Sequence, residues 1–209
     1  MEFVGFGEVW SELKARGVVE RHRDEQALEL GIDPSRQPVC VLLGPEGKPI
    51  RKAAASTIDI RCDLDHVPAA LETVLHKLHL APLYLIPVGR WREIFDVVSF
   101  GLAVHDAWQE IDSQASLQQN GRDPLVCGPR DLHMLREFLR VLIVEGEADE
   151  RQGITIAATG QLIVARVEPK RTVQIAVGSA TVAGQLRDAA QHFLNGSVGG
   201  STGGTNADA

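Results

Sequence analysis

The sequence predicts an α+β fold in which a mostly antiparallel sheet is covered by helices. Two kinds of pattern carry this prediction. Short runs rich in Val and Ile, such as 39–43 and 172–177, are typical of strands. Longer stretches with apolar residues three and four positions apart, such as 67–78 and 132–142, are typical of helices that bury one face. With 44% hydrophobic and 23% charged residues, the 209-residue chain has the composition of an ordinary globular protein.

The first 31 residues are predicted to form an N-terminal helical arm. Phe3, Phe6 and Trp10 recur at helical spacing, so they are expected to lie on one face of a first short helix. A second short helix is predicted over residues 24–30. The aromatic stripe is a candidate docking surface for a partner or for a second copy of the chain, and the alternative is that it packs on the protein's own core.

An α+β globular domain is predicted over residues 32–196. In its first half we expect strands at 39–43, 57–64 and 83–86, a helix at 67–78 with Asp65 as its N-cap, and one long central helix at 91–111. The polar segment 112–129, which contains Gly and Pro, is predicted to be a long loop. Residues 197–209 are rich in Gly and Ser, which predicts a disordered tail.

The second half of the domain begins with a predicted helix whose buried face runs from 132 to 142. Residues 141–144, at its C-terminal end, fit a strand equally well. Three strands then follow at 154–158, 161–167 and 172–177, and a helix follows at 181–194. This order of elements, a three-stranded meander followed by a helix, resembles that of roadblock and profilin-like scaffold domains. The resemblance covers residues 154–194 and extends to the architecture only.

Residues 57–62 and 172–177 look alike, and so do the helices predicted after them. One interpretation is an internal repeat, in which two similar units of hairpin, strand and helix build the domain. The other is that both segments meet the same packing requirement, because a core face demands apolar residues at fixed spacing.

Charge and cysteine content limit the class of protein. The net charge of −7 disfavours binding to a phosphate backbone, so nucleic acid is not an expected partner. No membrane-spanning or signal segment is recognisable, which predicts a cytoplasmic protein. The three cysteines form no CxxC pair and are expected to be free thiols, although Cys127 directly precedes a predicted helix, whose dipole would lower the thiol pKa. No cofactor-binding motif is recognisable.

Titratable residues provide the candidates for catalysis. Asp63, Asp65 and His66 cluster around the end of the strand predicted at 57–64, where paired carboxylates can serve as acid and base. The alternative places Asp63 on a solvent face and Asp65 at a helix cap. His105 shares the apolar face of the long predicted helix, so we expect a buried histidine that is either hydrogen-bonded in the core or a catalytic base.

A second set of titratable residues has the spacing of metal ligands. Glu72, His76 and His79 follow one another at intervals of four and three residues, which places all three along one side of a helix. Two imidazoles and a carboxylate form a ligand set for zinc or iron. The alternative is an exposed helical pair of Glu72 and His76 without a metal.

Two functions from different classes follow from these patterns. The first is a non-catalytic interaction or scaffold protein that associates with itself, because no convincing catalytic constellation is present. The second is a small-molecule-binding protein or hydrolase with its site near Asp63, Asp65 and His66.

Overall fold

The computed structural model describes residues 1–45 and 56–198 of the chain. These residues form ten strands: β1 (Glu2–Phe3), β2 (Val18–Arg23), β3 (Leu28–Ile32), β4 (Val39–Gly44), β5 (Ser56–Arg61), β6 (Leu83–Pro87), β7 (Leu125–Cys127), β8 (Ile154–Ala158), β9 (Ile163–Val167) and β10 (Val173–Val177). They also form six α-helices: α1 (Phe6–Arg16), α2 (Val67–Lys77), α3 (Trp91–Leu102), α4 (Asp106–Ser116), α5 (Leu132–Glu145) and α6 (Ala180–Val198). None of the described helices is long and apolar enough to cross a membrane.

Eight of the strands form one sheet in the order β1-β7-β6-β8-β9-β10-β4-β5. Every neighbouring pair is antiparallel except β4 and β5, which run parallel. Strands β2 and β3 form a separate antiparallel hairpin with a bulge between Glu20 and His22. The predicted α+β class with a mostly antiparallel sheet is therefore confirmed.

The large sheet buries both of its faces. On β6, Leu83 and Leu85 join the main core beneath the helices, whereas Ile86 joins a second apolar cluster on the opposite face. That second cluster is formed with α1 and the β2–β3 hairpin. Since successive side chains of a strand point to opposite faces, a strand covered on both sides must be apolar throughout. Strand β4 meets this requirement, since its residues from Val39 to Gly44 are all buried and none is charged.

The N-terminal region differs from the prediction in two respects. The helix predicted over residues 24–30 is wrong, because these residues form the turn of the β2–β3 hairpin and most of β3. Leu28, Leu30 and Ile32 alternate with less buried residues along the first part of this strand, and all three are buried. Phe3 lies in β1, where it pairs with Leu125 of β7, rather than on the first helix.

The long helix predicted at 91–111 is wrong as a single element. Helix α3 ends at Leu102 and α4 begins at Asp106. The predicted loop at 112–129 is shorter than expected, because α4 continues to Ser116 and β7 begins at Leu125.

Other elements agree with the prediction, including the strands at 39–43 and 83–86 and the C-terminal meander. Residues 141–144 belong to helix α5. The predicted repeat is not confirmed, since β5 pairs in parallel with β4 instead of forming a hairpin. Residues 199–209 of the predicted tail lie outside the described residues.

Candidate functional site

The predicted acid–base residues are spread over the protein surface. Asp63, Asp65 and His66 are exposed around a short 3₁₀ turn that precedes α2. The N-cap position of α2 is held by His66, so the assignment of Asp65 as its cap is wrong. His105 is not on a buried helical face, because it occupies the partly exposed N-cap position of α4, where the chain turns. The three sequence neighbours therefore stay close at the surface, and His105 lies at the start of a different helix.

Glu72, His76 and His79 are not brought together as a metal site. The Glu72 carboxylate forms an ion pair with Arg136 of α5 at 3.2 Å. His79 lies beyond the end of α2 in the left-handed region, so the helical spacing from which the site was predicted does not hold there. Among the described residues, no group of three or more His, Cys, Asp or Glu side chains is placed to hold a metal ion.

The aromatic stripe is divided between two layers. Phe3 packs edge-on against Trp91, with 5.8 Å between ring centroids, at the margin of the main core. Phe6 and Trp10 stack on each other along α1 at 6.3 Å and pack against the second cluster. All three side chains are partly buried. They therefore do not form one continuous docking surface.

A pocket of about 260 Å³ opens where α1, the hairpin turn and the loop before β7 meet. Phe6 comes from the first turn of α1, and Arg90 from the residue before α3. The hairpin and the loop between α4 and β7 supply the remaining wall residues, which are Arg23, Glu25, Leu28, Gln119, Asn120 and Arg122. Three arginines and one glutamate thus line the same pocket. We call it the arginine pocket.

Arg122 holds the walls of the arginine pocket together. Its side chain donates to the backbone carbonyls of Gly89 at 2.9 Å, Asp24 at 3.1 Å and Glu25 at 3.0 Å. Burial, and then the nearby charges of Arg90 and Arg23, lower the pKa of Arg122 below its ordinary value. A guanidinium has five N–H donors, so two of them make no hydrogen bond with the described residues and can serve a ligand.

Arg90 is placed at the pocket by a glycine. Gly121 has φ of 63°, a left-handed conformation that side chains rarely adopt, and its carbonyl accepts from the Trp91 N–H at 2.9 Å. A Cβ on Gly121 would stand 3.3 Å from the Cβ of Arg90. The stem of Arg90 therefore runs across the open side of this glycine, and its guanidinium forms no ion pair with the described residues.

Arg23 is positioned by the hairpin. It forms an ion pair with Glu20 at 2.9 Å and lies over the Phe6 ring at 5.4 Å from its centroid. The turn beside it is closed by Asp24, whose carboxylate accepts from the N–H groups of Ala27 at 2.6 Å and Gln26 at 2.7 Å. These bonds, the one from Ala27 first, and the hydrogen bond with His22 lower the pKa of Asp24 to about 2. A charged Asp24 therefore fixes the turn that carries Arg23 and Glu25.

Cys127 is not the activated thiol that its position before a helix suggests. Its side chain is fully buried at the end of β7, and burial, followed by the charge of Asp131, raises its pKa to about 12. A thiol must lose its proton to act as a nucleophile. Cys127 is therefore a core residue.

Sequence reasoning missed the arginine pocket because its arginines lie far apart along the chain. Arg23 lies in a charged segment next to Asp24 and Glu25, and Arg90 and Arg122 belong to no motif. The only local signal is Asn120-Gly121, a turn dipeptide that favours a left-handed conformation. Comparison of the chain with protein-family models, with curated proteins and with solved structures finds no match in any of the three.

Proposed function

We propose that this protein binds a small anionic molecule in the arginine pocket. One observation carries the proposal: three arginines and one glutamate line a single pocket of about 260 Å³, although the whole chain has a net charge of −7. Guanidinium groups match carboxylate and phosphate oxygens in geometry and in charge. Glu20 pairs with Arg23, but Arg90 forms no ion pair with the described residues, so a bound anion would offset the repulsion between Arg90 and Arg122.

Binding of inorganic phosphate, measured by isothermal titration calorimetry, tests the proposal. Arg90 is the residue to change, because it is exposed and takes no part in the carbonyl bonds that Arg122 makes. We expect Arg90→Ala to weaken phosphate binding roughly tenfold or more, since a charge-assisted hydrogen bond contributes about 1.5–3 kcal/mol.

Arg92→Ala is the matched control for this experiment. Arg92 is an exposed arginine two residues away on α3, and it does not line the pocket. Its removal changes the net charge by the same amount as Arg90→Ala, so we expect phosphate affinity close to that of the wild type. Equal losses in the two variants, or no phosphate binding by the wild type, would contradict the proposal.

Self-association as a scaffold is the second candidate function. The observation that favours it is the pair Phe100, near the end of α3, and Val104, in the turn that follows, with 91% and 83% of their surfaces exposed. Large apolar side chains this exposed often belong to interfaces. The partner that we propose is a second copy of the chain.

Sedimentation velocity distinguishes this second candidate. We expect the wild type to sediment as a dimer and Phe100→Asp to sediment as a folded monomer, because burying the new carboxylate in an interface is unfavourable. Leu117→Asp places the same charge on a residue that is 85% exposed at the end of α4, so it serves as the control and should remain a dimer. A wild-type monomer would remove the support for self-association.

A further inference from the structure

We infer that the ligand of the arginine pocket is a phosphate monoester with hydroxyl groups, bound as a dianion. This inference rests on the proposed function and adds the chemical class of the ligand. The polar walls of the pocket divide into two sets with different chemistry. One set is the three arginines, and the other consists of Glu25, Gln119 and Asn120.

The charge of the walls favours a dianion over a monoanion. Among the lining residues alone, three arginines and one glutamate leave an excess of two positive charges, and Glu20, outside the lining, pairs with Arg23. A phosphate monoester carries about two negative charges at neutral pH and presents three terminal oxygens, whereas a carboxylate presents two oxygens and one charge. Three guanidinium groups brought in from three different segments of the chain therefore suit a phosphate group better than a single carboxylate.

The second set of walls suits hydroxyl groups. The side-chain amides of Gln119 and Asn120 can both donate and accept hydrogen bonds, and the Glu25 carboxylate can accept them. The backbone at Glu25 is held in place, because its carbonyl accepts from Arg122 at 3.0 Å. Glu25 repels a bare phosphate, but a hydroxyl of the ligand can donate to it.

The size and lining of the pocket limit the rest of the ligand. Drug-sized ligands occupy pockets of about 300–1,000 Å³, so a pocket of about 260 Å³ takes a short carbon skeleton. Phe6 and Leu28 are the apolar residues in its lining, and Arg23 lies over the Phe6 ring. Little apolar surface remains for an aromatic or long aliphatic group.

Three probes separate these features when their affinities are measured by titration calorimetry at about pH 7.5, above the second phosphate pKa of about 6. Glycerol 3-phosphate is a dianion with hydroxyl groups, methyl phosphate is a dianion without them, and methyl sulfate is a monoanion. We expect glycerol 3-phosphate to bind roughly fivefold more tightly than methyl phosphate, the gain of about one net hydrogen bond. Methyl phosphate should bind roughly tenfold more tightly than methyl sulfate, as one additional charge-assisted contact implies.

Variants in the second set assign the hydroxyl contacts. Asn120→Ala should remove most of the advantage of glycerol 3-phosphate over methyl phosphate and leave methyl phosphate binding unchanged. Glu25→Ala should also reduce that advantage, but it should strengthen methyl phosphate binding because a repelling charge is gone. A general loss of structure would weaken both probes together and would not produce these opposite changes.

Failure of the inference differs from failure of the proposed function. Equal affinities for methyl sulfate and methyl phosphate would contradict the inference that the ligand binds as a dianion. Equal affinities for methyl phosphate and glycerol 3-phosphate would contradict the inference that the ligand carries hydroxyl groups. In both cases, a loss of binding in Arg90→Ala would still support an anion site. Absence of binding by all three probes would overturn the proposed function together with this inference.

Discussion

Tyr84 is the single tyrosine of the chain, and it joins the central strand β6 to helix α1. Its hydroxyl donates to Oε2 of Glu12 at 2.6 Å. This hydrogen bond, followed by burial and the charge of Glu12, raises the pKa of Tyr84 to about 12. Deprotonation would remove the donor and place a second negative charge beside the carboxylate, which is why the neutral phenol is favoured.

We predict that Tyr84 titrates near pH 12 in the folded protein instead of near pH 10. Because the folded pKa lies above the unfolded one, its stabilising contribution is complete below about pH 10 and is lost as the pH rises through 12. The ultraviolet absorbance of tyrosinate measures this directly, since no other tyrosine contributes. A midpoint near pH 10 in a protein that is still folded would contradict the prediction.

Glu12→Ala is the informative variant for Tyr84. Removing the acceptor should move the midpoint back toward pH 10 and lower the free energy of unfolding at neutral pH by about 1 kcal/mol. Glu2→Ala removes a carboxylate from the exposed residue Glu2 of β1 and should leave both quantities unchanged.

The arginine pocket could not be predicted from the sequence alone. Arg23, Arg90 and Arg122 meet only because a hairpin turn, a helix start and a loop converge in the folded chain. Predicted sites such as Asp63, Asp65 and His66 were found by their proximity in sequence, and they lie exposed on the surface. Proximity along the chain places side chains near each other, but it does not supply the walls of a pocket.

Among the elements, those governed by local rules were predicted correctly. The meander of β8, β9 and β10 follows from apolar strands separated by turns that are too short for a crossover. The helix predicted over residues 24–30 is wrong because Asp24 closes a hairpin turn, accepting from the N–H groups of Gln26 and Ala27. The alternation of Leu28, Leu30 and Ile32 was the signal for a strand.

The break between α3 and α4 depends on tertiary packing. In a straight helix, Phe95 and Trp108 would be about 20 Å apart along the axis. Their ring centroids are 6.4 Å apart, because the chain turns after Leu102 and brings Trp108 back to the core. There Trp108 stacks on Phe138 of α5 at 4.8 Å. The apolar periodicity of residues 91–111 does not predict that the chain turns after Leu102 and packs Trp108 back against the core.

At the scale of the whole molecule, a central sheet separates two different layers. Helices cover one face, and α1 with the β2–β3 hairpin covers the other. The hairpin is also held by charge, because Glu29 of β3 forms an ion pair with Arg166 of β9 at 3.1 Å. Arg166 further contacts the carboxylates of Glu150 and Glu168, and Glu168 forms an ion pair with Arg171 at 2.6 Å.

We predict that Glu168 and Glu150, which both pair with Arg166, contribute very different amounts to the free energy of unfolding. The side chain of Glu168 is 4% exposed, whereas that of Glu150 is 57% exposed. Glu168→Gln removes the buried carboxylate from two ion pairs, with Arg166 and with Arg171, although Glu29 and Glu150 still pair with Arg166. We therefore expect it to lower the free energy of unfolding by about 3 kcal/mol. Glu150→Gln removes the same charge from the same partner in open solvent and should cost less than about 1 kcal/mol.

Urea denaturation of the two variants measures this difference, and amide hydrogen exchange shows where it acts. If the network ties the hairpin to the sheet, Glu168→Gln should accelerate exchange in β2 and β3 more than in β6 and β8, since the hairpin would open on its own. Equal and small losses in both variants would mean that the apolar cluster of α1, the hairpin and the sheet is sufficient to hold the two layers together. The walls of the arginine pocket would then depend on that cluster, on the carbonyl contacts of Arg122 and on the hydrogen bond from the Leu28 N–H to the Val88 carbonyl at 2.7 Å.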